Sequence, residues 1–144
     1  MKILLVDDEE AIVRVLADFL VDCGHETGAA PNGAEALKQM EAASGIDLVL
    51  SDIRMPSVDG IDLLKAVRVR HPGVPVVLMT GHGDESLAIE ALHEGAHGYL
   101  KKPIKLDELL TVVEQLEERK HLEFEVLEEY KKRSSTGKEI DIAE

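Results

Sequence analysis

Positive charge is scarce in this chain. Sixteen lysines and arginines stand against 29 aspartates and glutamates, a formal net charge of −13. That balance disfavours nonspecific binding to DNA or to anionic membranes, both of which are held by basic side chains. Cysteine is nearly absent: Cys23 alone makes no intramolecular disulfide, and its place near the end of an amphipathic helix predicts an inert packed thiol. No apolar stretch approaches the length of a bilayer span, and Met1-Lys2 leads straight into a strand, so a cytoplasmic location is expected. No helix-turn-helix, ATPase or cyclase pattern follows the main body, so the expectation is a chain acting by protein contact or a fragment cut within a linker. The 144 residues suit one domain with a sizeable core and a short appendage.

What is present is an alternation of short apolar runs and helical periods. Ile3-Leu4-Leu5-Val6 stops at Asp7-Asp8, Ile46 to Ser51 stops at Asp52, and Val74 to Met79 stops at Thr80. Such runs, ended by turn-forming residues, read as buried parallel strands. A weaker strand covers His25 to Ala29, and a fifth short strand holds Tyr99. Between them lie helices. The first carries Ile12, Val15, Leu16, Phe19 and Leu20 on one face and ends near Gly24. Others run from about Ala34 to Ala43, through Ile61, Leu64, Ala66, Val67 and Val69, and from about Glu85 to Glu94. Strands alternating with helices across short loops imply βαβ units and a doubly wound parallel sheet.

Strands of an open α/β sheet carry their chemistry at their carboxyl ends. If the Asp7-Asp8 and Asp52 strands are neighbours, three carboxylates meet in one small volume. Such a cluster repels itself unless a cation neutralises it, and hard oxygen ligands at this density suit Mg²⁺. A carboxylate beside Mg²⁺ is also a competent nucleophile toward a phosphoryl group.

The pieces Leu5-Val6-Asp7-Asp8-Glu9, Asp52-Ile53-Arg54-Met55-Pro56 with Asp59-Gly60, Met79-Thr80-Gly81 and Lys102-Pro103 stand in one order across Met1 to about Leu116. In these the chain resembles the receiver domain of two-component response regulators. The stretch Met79 to Asp84 is most similar to receivers of the nitrogen-regulation class. The resemblance implies a flavodoxin-like, five-stranded parallel sheet in the order 2-1-3-4-5, with Asp52 as the phosphoryl acceptor. It implies that Asp8, Asp52 and the backbone carbonyl of Arg54 ligate Mg²⁺ (or Mn²⁺ as a substitute), with Asp7 holding metal-bound water. It further implies that Lys102 pairs with Asp52 and later with the phosphoryl group, and that Thr80 donates a hydrogen bond to that group. Tyr99 would then turn into space vacated by Thr80, remodelling the face made by the Glu85–Glu94 helix, the Tyr99 strand and the final helix. Arg54 and His82 flank the path of attacking water and are expected to tune the phosphoryl lifetime. The implied partner is a histidine kinase or a phosphotransfer protein.

The expected organisation is a receiver over 1–117, a helical extension over 118–133 and a disordered tail or linker over 134–144. Leu109, Leu110, Val113 and Leu116 read as the sheet-covering stripe of the final helix. Phe124, Val126, Leu127 and Tyr130 form a second apolar group, read as a dimerisation or signalling helix. A homodimer through that helix, or through the face around Tyr99, is therefore expected, with no direct binding of nucleic acid and no membrane contact.

Two other functions compete. A phosphatase of the haloacid-dehalogenase type would use Asp7 as nucleophile, but that family's second acid stands two residues later, where Glu9 is followed by Glu10 rather than Thr or Val. A receiver that is never phosphorylated and serves only as an interaction module is the third reading. His93-Glu94-Gly95-Ala96-His97 matches the zinc-protease pattern H-E-x-x-H, yet Gly95 reads as a helix stop, which would keep both histidines off one helical face. Thr136-Gly137-Lys138-Glu139 has the look of a phosphate loop but lacks its first glycine, its preceding strand and its final Ser or Thr.

Overall fold

The computed structural model describes residues 1–135. Five strands, β1 (Lys2–Val6), β2 (Glu26–Ala30), β3 (Leu48–Asp52), β4 (Val76–Thr80) and β5 (Gly98–Lys101), alternate with five helices. These are α1 (Glu10–Asp22), α2 (Gly33–Ala42), α3 (Gly60–Arg70), α4 (Glu85–His93) and α5 (Leu106–Ser135). The sheet is parallel throughout, in the order β2-β1-β3-β4-β5. This is the flavodoxin-like arrangement expected from the sequence.

The apolar runs are uninterrupted because both faces of a parallel sheet are covered. Every residue of β3 and β4 is buried. On one side Leu4, Val49 and Leu78 meet Leu63, Leu64 and Val67 of α3 in the main core cluster. Register then sets the chemistry. Val6 lies opposite Ser51, Asp52 opposite Met79, and Thr80 opposite Lys101, so the carboxyl ends of four adjacent strands finish together. The chain order reverses at β1 and β3, the switch point where such sheets bind ligands.

Local chemistry fixes the helix ends. Asn32 caps α2 by accepting the Glu35 N–H at 2.9 Å. Asp59 and Asp62 form a reciprocal capping box at the start of α3. Gly95, at φ 101°, closes α4: its N–H reaches Leu92 O, and the Ala96 N–H reaches Ala91 O at 2.9 Å. With α4 ended at His93, His97 stands outside that helix, and the zinc-protease geometry is absent as anticipated.

Three packing expectations need correction. Cys23 is exposed at the end of α1 rather than packed. Val15 and Val69 face solvent, at 58% and 81% exposure, while Leu63 is wholly buried. For α3 the reason is geometric: it lies against the sheet and against α2, so it buries a wider arc than a single periodic stripe.

Ser57, in the loop between β3 and α3, adopts φ 68°, a left-handed conformation that costs an L side chain energy and glycine none. Ser57→Gly is expected to stabilise the fold by roughly 0.5 kcal/mol, the relieved strain being partly offset by the freer unfolded chain. A rise in the urea midpoint at constant slope would show it; a fall would mean that Ser57 makes a stabilising contact.

Residue contacts divide the chain into two compact units, Met1–Leu109 and a second that begins at Leu110, within α5. In the first, Leu109 is fully buried. In the second, the helix is laced by side-chain pairs one turn apart, Arg119–Glu123 at 3.3 Å, His121–Glu125 at 3.0 Å and Arg133–Glu129 at 3.5 Å. Leu122, Phe124, Val126, Leu127 and Tyr130 of this unit are exposed. The expected tail lies, from residue 136 on, outside the described residues, as does the stretch similar to a phosphate loop. No helix among the described residues is long and apolar enough to cross a membrane.

Candidate functional site

The strand ends bring Asp7, Asp8 and Asp52 together: one carboxylate oxygen from each lies within 4.8 Å of the others. Asp7 and Asp52 are buried and Asp8 is exposed, so the cluster opens to solvent on one side. The Asp7 carboxylate is oriented by the Glu9 N–H at 2.9 Å, and Asp52 accepts the Arg54 N–H at 3.4 Å.

Lys102 follows β5 and crosses to the cluster. Its Nζ donates to Asp52 at 3.1 Å and to Asp7 at 3.2 Å, and lies 3.9 Å from Glu9. Its backbone N–H is anchored on Thr80 O at 2.7 Å, and the bond to Pro103 is cis. Lys101, at the end of β5, is exposed, and it is the Lys102 ammonium that reaches the cluster.

Electrostatics reflect a crowded site. Burial pushes the Asp52 carboxyl above its ordinary value and the negative charge of Asp7 adds to this, against the opposing pull of the Lys102 ammonium. Burial alone would lower the Lys102 pKa, but hydrogen bonds and charge from Asp52 and Asp7 outweigh it and raise it. Three hard oxygen donors, two of them fixed by backbone hydrogen bonds and one open to water, fit a small divalent cation that retains water ligands.

Lys102→Met is expected to lower stability by about 2 kcal/mol without a divalent cation. That is less than the 3–5 kcal/mol typical of a broken buried pair, because Lys102 is about a fifth exposed. Added Mg²⁺ is expected to raise the melting temperature of this variant more than that of the native protein, since a competing cation has gone. Equal shifts in a thermal scan would sink the idea.

Thr80 is buried at the end of β4, and its hydroxyl faces Leu100 O at 3.5 Å. Tyr99 is 40% exposed on β5, and His82 is exposed in the loop after β4. Of the sequence-derived site residues, Asp7, Asp8, Asp52 and Lys102 are thus in one cluster. Thr80 lines the next strand end, while Tyr99 and His82 lie outside the cluster's direct contacts.

Arg54 is paired through its Nε with a residue that the sequence reading assigned no part: Asp84, 3% exposed, at the start of α4. The other Asp84 oxygen accepts the Gly81 N–H at 2.9 Å. Although burial opposes it, the hydrogen bonds from Arg54 and Gly81 hold this carboxyl below the ordinary carboxylate range. An acid at a helix start is common, so nothing in the sequence marked Asp84 out.

Acids at the carboxyl ends of two neighbouring strands, with a lysine after a third, make a switch-point site of an open α/β sheet. The chain belongs to the response regulator receiver domain family, whose match covers residues 3–114. It is 43% identical over 111 residues to the DNA-binding transcriptional regulator NtrC of Escherichia coli K12, covering 77% of this chain and 24% of that protein. It is likewise 43% identical over 112 residues to the response regulator protein FleR of Pseudomonas aeruginosa, covering 78% and 24%. The chain therefore spans about a quarter of the length of these curated relatives. Among solved structures it resembles a receiver domain protein of Clostridium thermocellum, with a TM-score of 0.80 and 35% identity over 84% of this chain and 97% of that one. The receiver domain of NtrX from Brucella abortus gives 0.75 and 38%, over 79% and 96%. Membership of this family sets aside the dehalogenase-type phosphatase.

Proposed function

We propose that this receiver takes a phosphoryl group on Asp52 from the phosphohistidine of a kinase or phosphotransfer protein in a two-component system. The observation that carries the reading is the triad of Asp7, Asp8 and Asp52 with Lys102 bonded to two of them. A carboxylate oxygen of Asp52 attacks phosphorus in line, and the bond to the donor imidazole nitrogen breaks as that nitrogen leaves with its electron pair. Lys102, already within reach of Asp52, exchanges a carboxylate oxygen for a phosphoryl oxygen and holds its charge. Asp8, Asp52 and the Arg54 carbonyl are the proposed Mg²⁺ ligands, with Asp7 binding metal-held water. When bound, Mg²⁺ (or Mn²⁺) neutralises the carboxylates and the developing phosphoryl charge. The chain catalyses its own modification and its loss rather than turning over a separate substrate, and Arg54 and His82 tune the lifetime.

The switch follows from a net charge change of about −1, as a carboxylate becomes an acyl phosphate, and from three new phosphoryl acceptor oxygens. Thr80 turns its hydroxyl from Leu100 O toward them, and Tyr99 moves into the space released. The output is read on the face of α4, β5 and the start of α5, where Ile89, Leu92, Tyr99 and Leu106 are exposed apolar side chains in search of a partner. That partner is a second copy or an effector, with 1–117 acting as the receiver. The exposed apolar residues of 118–133 supply a second dimerisation surface. The protein works in the cytoplasm without touching DNA through this segment.

The test is exposure to a small acyl phosphate with Mg²⁺, followed by intact mass. Uptake of one phosphoryl group, abolished by chelation of the metal, is expected. No gain with donor in excess and Mg²⁺ binding confirmed would instead favour the phosphorylation-silent interaction module.

A further inference from the structure

Asp84 stands at the N-cap position of α4, yet its side chain makes no capping bond to that helix. Its two oxygens are committed elsewhere, one to the Gly81 N–H and one to the Arg54 guanidinium. Buried acids are rare unless paired, and here the partner is a side chain that is itself two-thirds exposed. A flexible cation is thus tied down by a rigid acid. The cation begins next to the carboxylate cluster, since the Arg54 N–H already lies 3.4 Å from Asp52. A guanidinium prefers carboxylates, and Asp7, Asp8 and Asp52 offer three.

We propose that Asp84 is a positioning residue that holds the Arg54 guanidinium against the start of α4 and so keeps it out of the cation pocket of Asp7, Asp8 and Asp52. Left free, the guanidinium folds back over the carboxylates and competes with a divalent cation there. The pairing also ties the loop after β3 to the loop after β4, so a change at Asp52 reaches α4 through Arg54. The competition part of this inference rests on the proposed Mg²⁺ pocket; the hold on Arg54 does not.

The test uses Mg²⁺ alone as probe, followed by amide NMR shifts at Asp8 and Ile53, with four proteins: native, Asp84→Asn, Asp84→Asn with Arg54→Gln, and Glu85→Gln. Asparagine keeps one acceptor for the Gly81 N–H and turns the atom facing Arg54 into an amide donor, so the charge and the hydrogen bond to the guanidinium are both lost. Asp84→Asn is expected to weaken Mg²⁺ binding about threefold, the scale of a single exposed ion pair. Adding Arg54→Gln should restore native affinity, and Glu85→Gln, which removes the same charge one residue away, should leave it unchanged. An unaltered Asp84→Asn, or a double variant as weak as the single one, overturns the proposal. The exchange rate of the Arg54 Nε proton is read in the same samples. It is expected to be slow in the native protein and fast in Asp84→Asn; equal rates overturn the positioning role. If the native protein binds no Mg²⁺, the pocket reading fails on its own, and the Nε proton still decides whether Asp84 holds Arg54.

Discussion

Asp52→Asn is expected to abolish phosphoryl uptake completely and at the same time to stabilise the metal-free protein at neutral pH. The two effects share a cause. An amide has no anionic oxygen to attack phosphorus, so the mass gain seen with an acyl phosphate should vanish. The native carboxylate, in turn, is ionised in a place that disfavours ionisation, because burial and the charge of Asp7 push its pKa upward. The folded state therefore binds this proton more tightly than the unfolded state does. Stability falls as pH rises through the window from the ordinary carboxylate value to the raised one, and the loss is full above it. Asparagine cannot ionise and escapes that loss, and its single oxygen keeps one of the two hydrogen bonds, from the Arg54 N–H or from Lys102. The gain in denaturation midpoint should thus be present at pH 7 and disappear in acid, below the ordinary carboxylate pKa. A variant less stable than native at pH 7, or one that still gains a phosphoryl mass, would contradict the assignment of Asp52.

The strand ends were legible in the sequence for a physical reason. Strands covered on both faces tolerate few polar residues, so a polar side chain that closes an apolar run marks the strand's carboxyl end, even though β3 buries Ser51 just before Asp52. Asp7, Asp52 and Thr80 are such residues, and the sheet aligns them within one register. Lys102 was legible only through its resemblance, since Lys101 sits beside it with identical chemistry and the choice depends on which side of β5 each one faces. Helix faces were less legible. Val15 and Val69 satisfy the helical period yet are exposed, while Leu63 is buried beside Leu64, because the arc a helix buries depends on how many neighbours it has. Asp84 was illegible for a further reason: its partner Arg54 is thirty residues away, and no local pattern reports that its carboxylate has been diverted from the helix it begins.

Gly60→Ala is expected to be the most destabilising single-methyl change at the site, by roughly 3 kcal/mol, the upper end of the cost of overpacking. Gly60 is the first residue of α3, just after the Asp59 cap, and its N–H donates to Ile53 O at 3.0 Å. An added Cβ would stand 2.5 Å from Asp52 O and 2.7 Å from Ile53 Cα, with Leu78 Cδ2 at 3.1 Å. The first two are backbone atoms, so no rotamer change relieves the contact. That backbone is also held from the other side, where the Ser51 hydroxyl donates to Asp52 O at 2.9 Å. Alanine's better helix propensity returns at most about 1 kcal/mol and less than that in a first turn, so the clash wins. The chain then has two escapes: α3 shifts away from β3, or Asp52 is pushed out of register with Lys102, now 3.1 Å away. Either way the thermal midpoint should fall by about 10 °C. Gly73→Ala provides the control, because a Cβ there meets nothing within 4 Å and should leave the midpoint nearly unchanged. If Gly60→Ala melts with Gly73→Ala, the close approach of α3 to the Asp52 backbone is not what fixes the acceptor. If it melts early and the surviving folded protein takes up phosphoryl groups at the native rate, α3 has moved and Asp52 has stayed.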